Sequence, residues 1–136
     1  NNWDRKIAFP GFKMYLSSFQ AEIILRNFET FEKKQMSLRR IRDIYNKELG
    51  YANISTHLYV IHVTNNESFL SKFKDNGITA GIHYPPLHIN KIYTQGKKFN
   101  CVYSEKYKNK VATLPMNEKL SDSDLENIIE NVKLYK

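Results

Sequence analysis

From Ser17 to Leu49 the chain runs without a proline or a glycine, and Phe28, Phe31, Leu38, Ile41, Tyr45 and Leu49 form an apolar stripe at helical steps. That period belongs to a helix and not to a strand. Ser17 followed by Gln20 is a capping-box pattern that opens the helix, and Gly50 is placed to close it. The pattern predicts one long helix over residues 17–49. Such a helix usually buries its stripe against something larger than a few strands, or crosses between two parts of a protein. The stretch before it, residues 1–16, is broken at Pro10-Gly11 and reads as an irregular lead-in without a period.

Beyond Gly50 the pattern changes. His57 to Val63 is a strand-forming, apolar run suited to a covered sheet. His57 and His62 stand an odd number of positions apart and so point to opposite faces of a strand, which excludes them as a simple chelating pair. Asn65 or Asn66 caps a short helix carrying Phe69, Leu70 and Phe73, with Gly77 ending it in a left-handed turn. Ile78 to His83 reads as a second strand, followed by the Pro85-Pro86 turn and a polar loop through Gln95-Gly96-Lys97-Lys98. A short helix near Ser104 to Lys110 and a strand from Val111 to Leu114, stopped by Pro115, come next. Ser121 and Asp124 form a second capping box, opening a final helix with Leu125, Ile128, Ile129 and Val132 on its inner face. Alternating helices and strands in this order predict an α/β two-layer sandwich, a small sheet covered by helices, as a single domain over residues 17–136.

Composition excludes several classes. At 136 residues, 41% of them hydrophobic, the chain has enough apolar material for one compact core and too little for two. No apolar run approaches the roughly 18 residues of a membrane span, and Asn1-Asn2-Trp3-Asp4-Arg5-Lys6 has no signal-peptide core. We therefore expect a soluble, cytoplasmic protein without a membrane partner. Cys101 is the lone cysteine, with no metal-ligand spacing around it, and reads as a half-buried small hydrophobe. The net charge of +7 raises the question of nucleic acid. Arg26, Lys33, Arg40 and Lys47 form a basic stripe, but Glu22, Glu29 and Asp43 precede Arg26, Lys33 and Lys47 by four residues. That order describes a solvated face with weak ion pairs. No Gly-rich phosphate loop accompanies it, so no nucleic-acid partner is expected.

One segment looks built for chemistry: Gly81-Ile82-His83-Tyr84-Pro85-Pro86-Leu87-His88. Each proline fixes its own φ and restricts the residue before it, so two histidines and a tyrosine leave a stiffened backbone in defined directions. That suits a binding wall. It equally suits a surface turn with satisfied histidines, and the octapeptide alone does not choose.

Four segments in order resemble the C-terminal part of the DegT/DnrJ/EryC1/StrS family of pyridoxal-phosphate (PLP)-dependent nucleotide-sugar aminotransferases. They are Pro10-Gly11-Phe12-Lys13 leading into Ser17-Ser18-Phe19-Gln20-Ala21; Arg39-Arg40-Ile41 with Tyr45 and Leu49; His57-Leu58-Tyr59-Val60-Ile61; and Gly77-Ile78 running into Gly81 to His88. Leu114-Pro115 and Ser121-Asp122-Ser123-Asp124 fit the family's ending. The resemblance implies the small domain of a type I aminotransferase, a three-stranded, mainly antiparallel sheet covered by helices, with the long helix arriving from a larger N-terminal domain. That missing domain carries the lysine that binds PLP. The complete protein is then expected to be a homodimer that moves an amino group from an amino-acid donor to a keto-sugar carried on a nucleotide.

Carried residue by residue, the resemblance makes His83, Tyr84 and His88 substrate-binding, and places Lys13 and Tyr15 on the cofactor side, near its phosphate. It assigns no catalytic residue and no metal ligand to this chain. Two positions depart from the family's pattern: Tyr15 stands where many members have asparagine, and Glu22 replaces the second member of a small Ala-Ala pair. Ser68-Phe69-Leu70-Ser71-Lys72 is the nearest string to the cofactor-lysine motif, but its spacing is one residue short and no Gly-rich continuation follows. Because one lysine is both covalent anchor and proton carrier in such chemistry, a chain without it is expected to be inactive and to hold no PLP stably by itself. The alternative is a degenerate stand-alone module that binds or assembles without catalysis.

Overall fold

The structure, a computed structural model, describes residues 15–136. Helix α1 spans Ser18–Phe28 and α2 spans Phe31–Leu49, so the single long helix expected over 17–49 is two. The break is local. Asn27 Nδ2 donates to the Ile23 carbonyl at 2.8 Å, and Thr30 Oγ1 donates to the Asn27 carbonyl at 3.3 Å. Short polar side chains that bond nearby backbone compete with the helical ladder, and here they do so at consecutive turns. Both predicted ends hold: Ser17 and Gln20 form the reciprocal capping box, and Gly50 closes α2 at φ 72°.

Strand β1 (Tyr59–His62) pairs antiparallel with β2 (Val111–Leu114), with Tyr59 opposite Leu114 and Val60 opposite Thr113. The expected third strand is reduced to one bridge. Gly81 N–H donates to the Thr113 carbonyl at 3.0 Å and Thr113 N–H returns to Gly81 at 2.8 Å. Pro85 and Pro86, a few residues on, have no N–H with which to extend the ladder.

Since Thr113 turns its backbone groups toward Gly81, the opposing Val60 turns its own away from β2. Side chains cover that edge. Asn53 Nδ2 donates to the Val60 carbonyl at 2.9 Å, and the Tyr51 hydroxyl accepts from His62 N–H at 3.0 Å. An exposed strand edge invites pairing with other chains, so this cover matters.

The core lies on one face of the sheet. Ile41 and Tyr45 of α2, Tyr59 and Ile61 of β1, Phe69, Leu70 and Phe73 of α3 (Asn66–Asp75), and Leu125, Ile128, Ile129 and Val132 of α6 (Asp122–Tyr135) are buried together. β1 alternates, with Val60 and His62 exposed. The expectation of a strand suited to a covered sheet is thus met on one side only, because the packed helices supply one apolar layer among the described residues. The Tyr45 and Tyr59 rings meet at 4.9 Å, and the Tyr45 hydroxyl donates to the Pro115 carbonyl at 3.0 Å. Burial, with Tyr59 and Asp124 adding smaller effects, pushes the Tyr45 phenol far above its ordinary range.

Between Gly81 and β2 the chain forms a 3-10 turn at Leu87–Ile89, a short helix α4 (Lys91–Thr94) capped by Asn90, and α5 (Val102–Tyr107). The first two lie where a polar loop is expected, and α5 begins slightly before its predicted start. Buried Asn66 ties this region down, its Nδ2 donating to the Lys108 carbonyl at 2.9 Å and to that of Val111 at 3.2 Å. The basic stripe also resolves differently from its heptad reading. Glu22 pairs with Arg26 at 2.9 Å as expected, but Asp43 pairs with Arg42 at 2.8 Å, and Arg40 reaches across to Asp122 on α6. Tertiary packing brings α6 within reach of Arg40, which no period within α2 encodes.

Upstream, none of α1 is buried, and Phe19, Ile23, Leu25 and Phe28 are exposed. Phe28 and Phe31 touch each other at 5.7 Å. Only the second half of the predicted stripe, from Ile41 onward, meets the core of this domain.

Candidate functional site

A cleft of about 270 Å³ opens where the Gly81 bridge meets β2, lined by His57, Thr79, Gly81, His83, Thr113 and Met116 among others. Its floor follows from the strand register. Thr113 is the one polar residue of Val111-Ala112-Thr113-Leu114 and is almost fully buried, so its hydroxyl needs partners within the fold. It has two: Oγ1 donates to the Gly81 carbonyl at 2.9 Å and meets His83 Nδ1 at 2.6 Å. The imidazole also lies close over Gly81. A Cβ added there would come within 2.7 Å of His83 Cε1, so the imidazole would have to shift, and 3.4 Å from Thr113 Oγ1, an ordinary contact. The lack of a side chain at position 81 therefore lets the imidazole lie where it does.

Of the residues singled out from sequence, His83 is in the cleft. Tyr84 follows it across a cis peptide bond, its ring edge-on to the imidazole at 5.1 Å, and is largely exposed without lining the cleft. His88 is directed elsewhere: its Nε2 is 2.7 Å from Glu105 Oε1 on α5, and Glu105 Oε2 takes Lys108 Nζ at 2.7 Å. Those two partners, Lys108 first, hold the Glu105 carboxyl below its usual range. Lys13 lies outside the described residues. Tyr15 is fully exposed, and Glu22 sits on the outer surface of α1 against Arg26.

Two cleft residues escaped the sequence reading as site residues. His57 precedes β1 and faces the cleft, while His62 stacks on Tyr107 at 5.7 Å, so the pair does diverge. Thr113 had a signal, a lone polar residue in an apolar strand, but its role depends on a neighbour thirty positions away. Lys72, the lysine of the near-motif, lies on α3 with its ammonium 5.1 Å over the Tyr135 ring.

The DegT/DnrJ/EryC1/StrS aminotransferase family model matches residues 1–133, and the chain belongs to that family. It is 25% identical over 139 aligned positions to a dTDP-3-amino-3,6-dideoxy-alpha-D-galactopyranose transaminase of Aneurinibacillus thermoaerophilus, covering 93% of this chain and 38% of that protein. It is 22% identical to the spore coat polysaccharide biosynthesis protein SpsC of Bacillus subtilis, covering 97% of this chain and 40% of the other. Among solved structures it superimposes on Spr1654 of Streptococcus pneumoniae in its PMP form, with a TM-score of 0.79 at 22% identity over 95% of this chain and 37% of that one. PseC of Helicobacter pylori, an aminotransferase involved in the biosynthesis of pseudoaminic acid, gives a TM-score of 0.74 at 19% identity, over 96% of this chain and 42% of that one. These structures establish the fold. The chain spans about two fifths of the length of the curated relatives it matches.

The cleft does not fit PLP by itself. Among the described residues its lining offers imidazoles and hydroxyls but no lysine to bind the aldehyde and no lysine or arginine for the phosphate. Among the described residues no helix is long and apolar enough to cross a membrane.

Proposed function

We propose that this chain is the C-terminal small domain of a PLP-dependent aminotransferase that acts on a nucleotide-linked keto-sugar, in amino-sugar or cell-surface polysaccharide biosynthesis. The observation that carries the reading is a mismatch: the family match runs over nearly the whole chain, yet among the described residues the cleft holds no amine that could anchor the cofactor. A larger domain, absent here, supplies that lysine, and this domain supplies a wall of the substrate site. In this reading His83, Tyr84 and His88 stand on the substrate side, His88 being held there by Glu105, and Lys13 and Tyr15 lie toward the cofactor phosphate. The complete protein is a cytoplasmic homodimer using an amino-acid donor. The isolated chain is inactive.

The relatives' names support the substrate class, since the Aneurinibacillus protein is a transaminase for a dTDP-linked amino sugar and SpsC belongs to spore coat polysaccharide synthesis. The test is the intact mass and absorbance of the polypeptide that carries this sequence, isolated from its source cells. A product more than twice as long, with a cofactor chromophore bleached by an amino-acid donor, supports the proposal. A product no longer than the chain, with no partner providing a cofactor lysine, leaves a non-catalytic binding module instead.

A further inference from the structure

We propose that residues 87–110, the segment between the Pro85-Pro86 turn and β2, form a peripheral docking surface for an anionic lipid bilayer. The stretch from Lys91 to Lys110 carries six lysines, one acid and no arginine, and so holds most of the chain's net charge of +7. The single acid, Glu105, is taken up by His88 and Lys108. That leaves Lys91, Lys97, Lys98, Lys106 and Lys110 exposed and without an acid partner among the described residues. Large apolar side chains are exposed between them, Phe99 at 51%, Val102 at 62% and Tyr103 at 77%. Leu87 and Ile89, also exposed, stand on the turn that the 2.7 Å contact of His88 with Glu105 joins to α5. Exposed apolar groups gathered with like charges mark an interaction surface. Helix α1 is exposed and apolar but lacks the second feature, since its one cation, Arg26, is paired with Glu22.

Two properties point to lipid. Lysine stems are long and apolar, so their ammonium groups can stay among headgroup phosphates while neighbouring rings and aliphatic groups enter the acyl boundary. Leu87, Ile89 and Val102 offer nothing to a nucleic-acid backbone, and the segment lacks the arginine forks that grip phosphates in pairs and read base edges. The absence of an apolar span, from which no membrane partner is expected, bears on crossing a bilayer and not on lying against one. The surface is independent of the aminotransferase reading.

The test is flotation of the full polypeptide with vesicles of equal parts phosphatidylcholine and phosphatidylglycerol, beside vesicles of phosphatidylcholine alone and a single-stranded RNA at the same salt. Partition into the mixed vesicles and not into phosphatidylcholine is expected, weakening as salt is raised. A lysine at an anionic surface is worth about fivefold in partition, so Lys97→Gln with Lys98→Gln and Lys106→Gln should weaken binding by about a hundredfold. Val102→Ser with Tyr103→Ser should weaken it several-fold while leaving its dependence on salt unchanged, because these side chains contribute apolar area and no charge. Melting curves equal to wild type check that the variants fold. No partition into the mixed vesicles at low salt overturns the proposal, as does equal partition into phosphatidylcholine alone or partition unchanged in the lysine variant. Tighter binding to the RNA than to the mixed vesicles also overturns it and assigns the surface to nucleic acid.

Discussion

His88 Nε2 and Glu105 Oε1 lie 2.7 Å apart, joining the turn after Pro85-Pro86 to α5. With only 11% of its side chain exposed, His88 is held where Glu105 can bridge it to Lys108. The three groups close the segment between the Gly81 bridge and β2 into one loop unit.

This latch should be sensitive to acid. The folded-state carboxyl of Glu105 is lowered from its ordinary value of 4.5, so its stabilising contribution is complete above that value and is lost as pH falls below it through the lowered one. Hydrogen exchange in residues 87–107 is expected to quicken over that range in the wild type. In Glu105→Gln it should be fast already at neutral pH, with no further acid step; an unchanged acid step in the variant would remove Glu105 from the account.

Replacing Gly81 with alanine should move the His83 ring without unfolding the domain, because the nearest atom to the new Cβ is the far end of a side chain, at 2.7 Å. The expected outcome is a wild-type melting curve with altered His83 and Tyr84 ring signals. Signals that stay in place would show that the seat has more slack than the geometry allows.

Tyr45→Phe deletes the hydroxyl that donates to the Pro115 carbonyl and leaves the ring packing intact. A loss of about 1 kcal/mol is expected, in line with a net buried hydrogen bond. Urea unfolding should show a lowered midpoint at constant slope. A stability equal to wild type would mean that water replaces the lost donor.

Ser121→Ala removes the first member of the capping box on α6, whose Ser121 side chain accepts from Asp124 N–H at 3.1 Å while Asp124 returns to Ser121. The expected cost is about 1 kcal/mol. It reaches the core because α6 carries Leu125, Ile128, Ile129 and Val132. Ser121→Asp, another good cap, should recover most of it; a deficit equal in both variants would argue against capping.

The exposed apolar residues of α1 predict self-association of the isolated chain. Sedimentation should show mass rising with concentration, and Phe19→Ser with Phe28→Ser should reduce it. A monomer at every concentration would count against a torn interface on this helix.

What the sequence by itself determined is what closes within about four residues. The capping boxes at Ser17 and Ser121, an asparagine cap at Asn65 or Asn66, the left-handed turns at Gly50 and Gly77 and the limits of β2 all rest on local backbone chemistry, and all were legible; the structure makes the cap Asn65. The Asn27 and Thr30 bonds that split the long helix are equally local, but the apolar period running past them pointed to continuity. Tertiary structure decided the rest. That Val60 faces outward, that the third strand shrinks to one bridge at Gly81, and that Arg40 pairs with Asp122 depend on which surfaces the helices cover. So do the fates of the two histidines in one octapeptide: His83 meets Thr113, thirty positions away, and His88 meets Glu105, seventeen away. A proline-stiffened turn defines the directions in which its side chains leave, but their partners are set by strand register and helix packing.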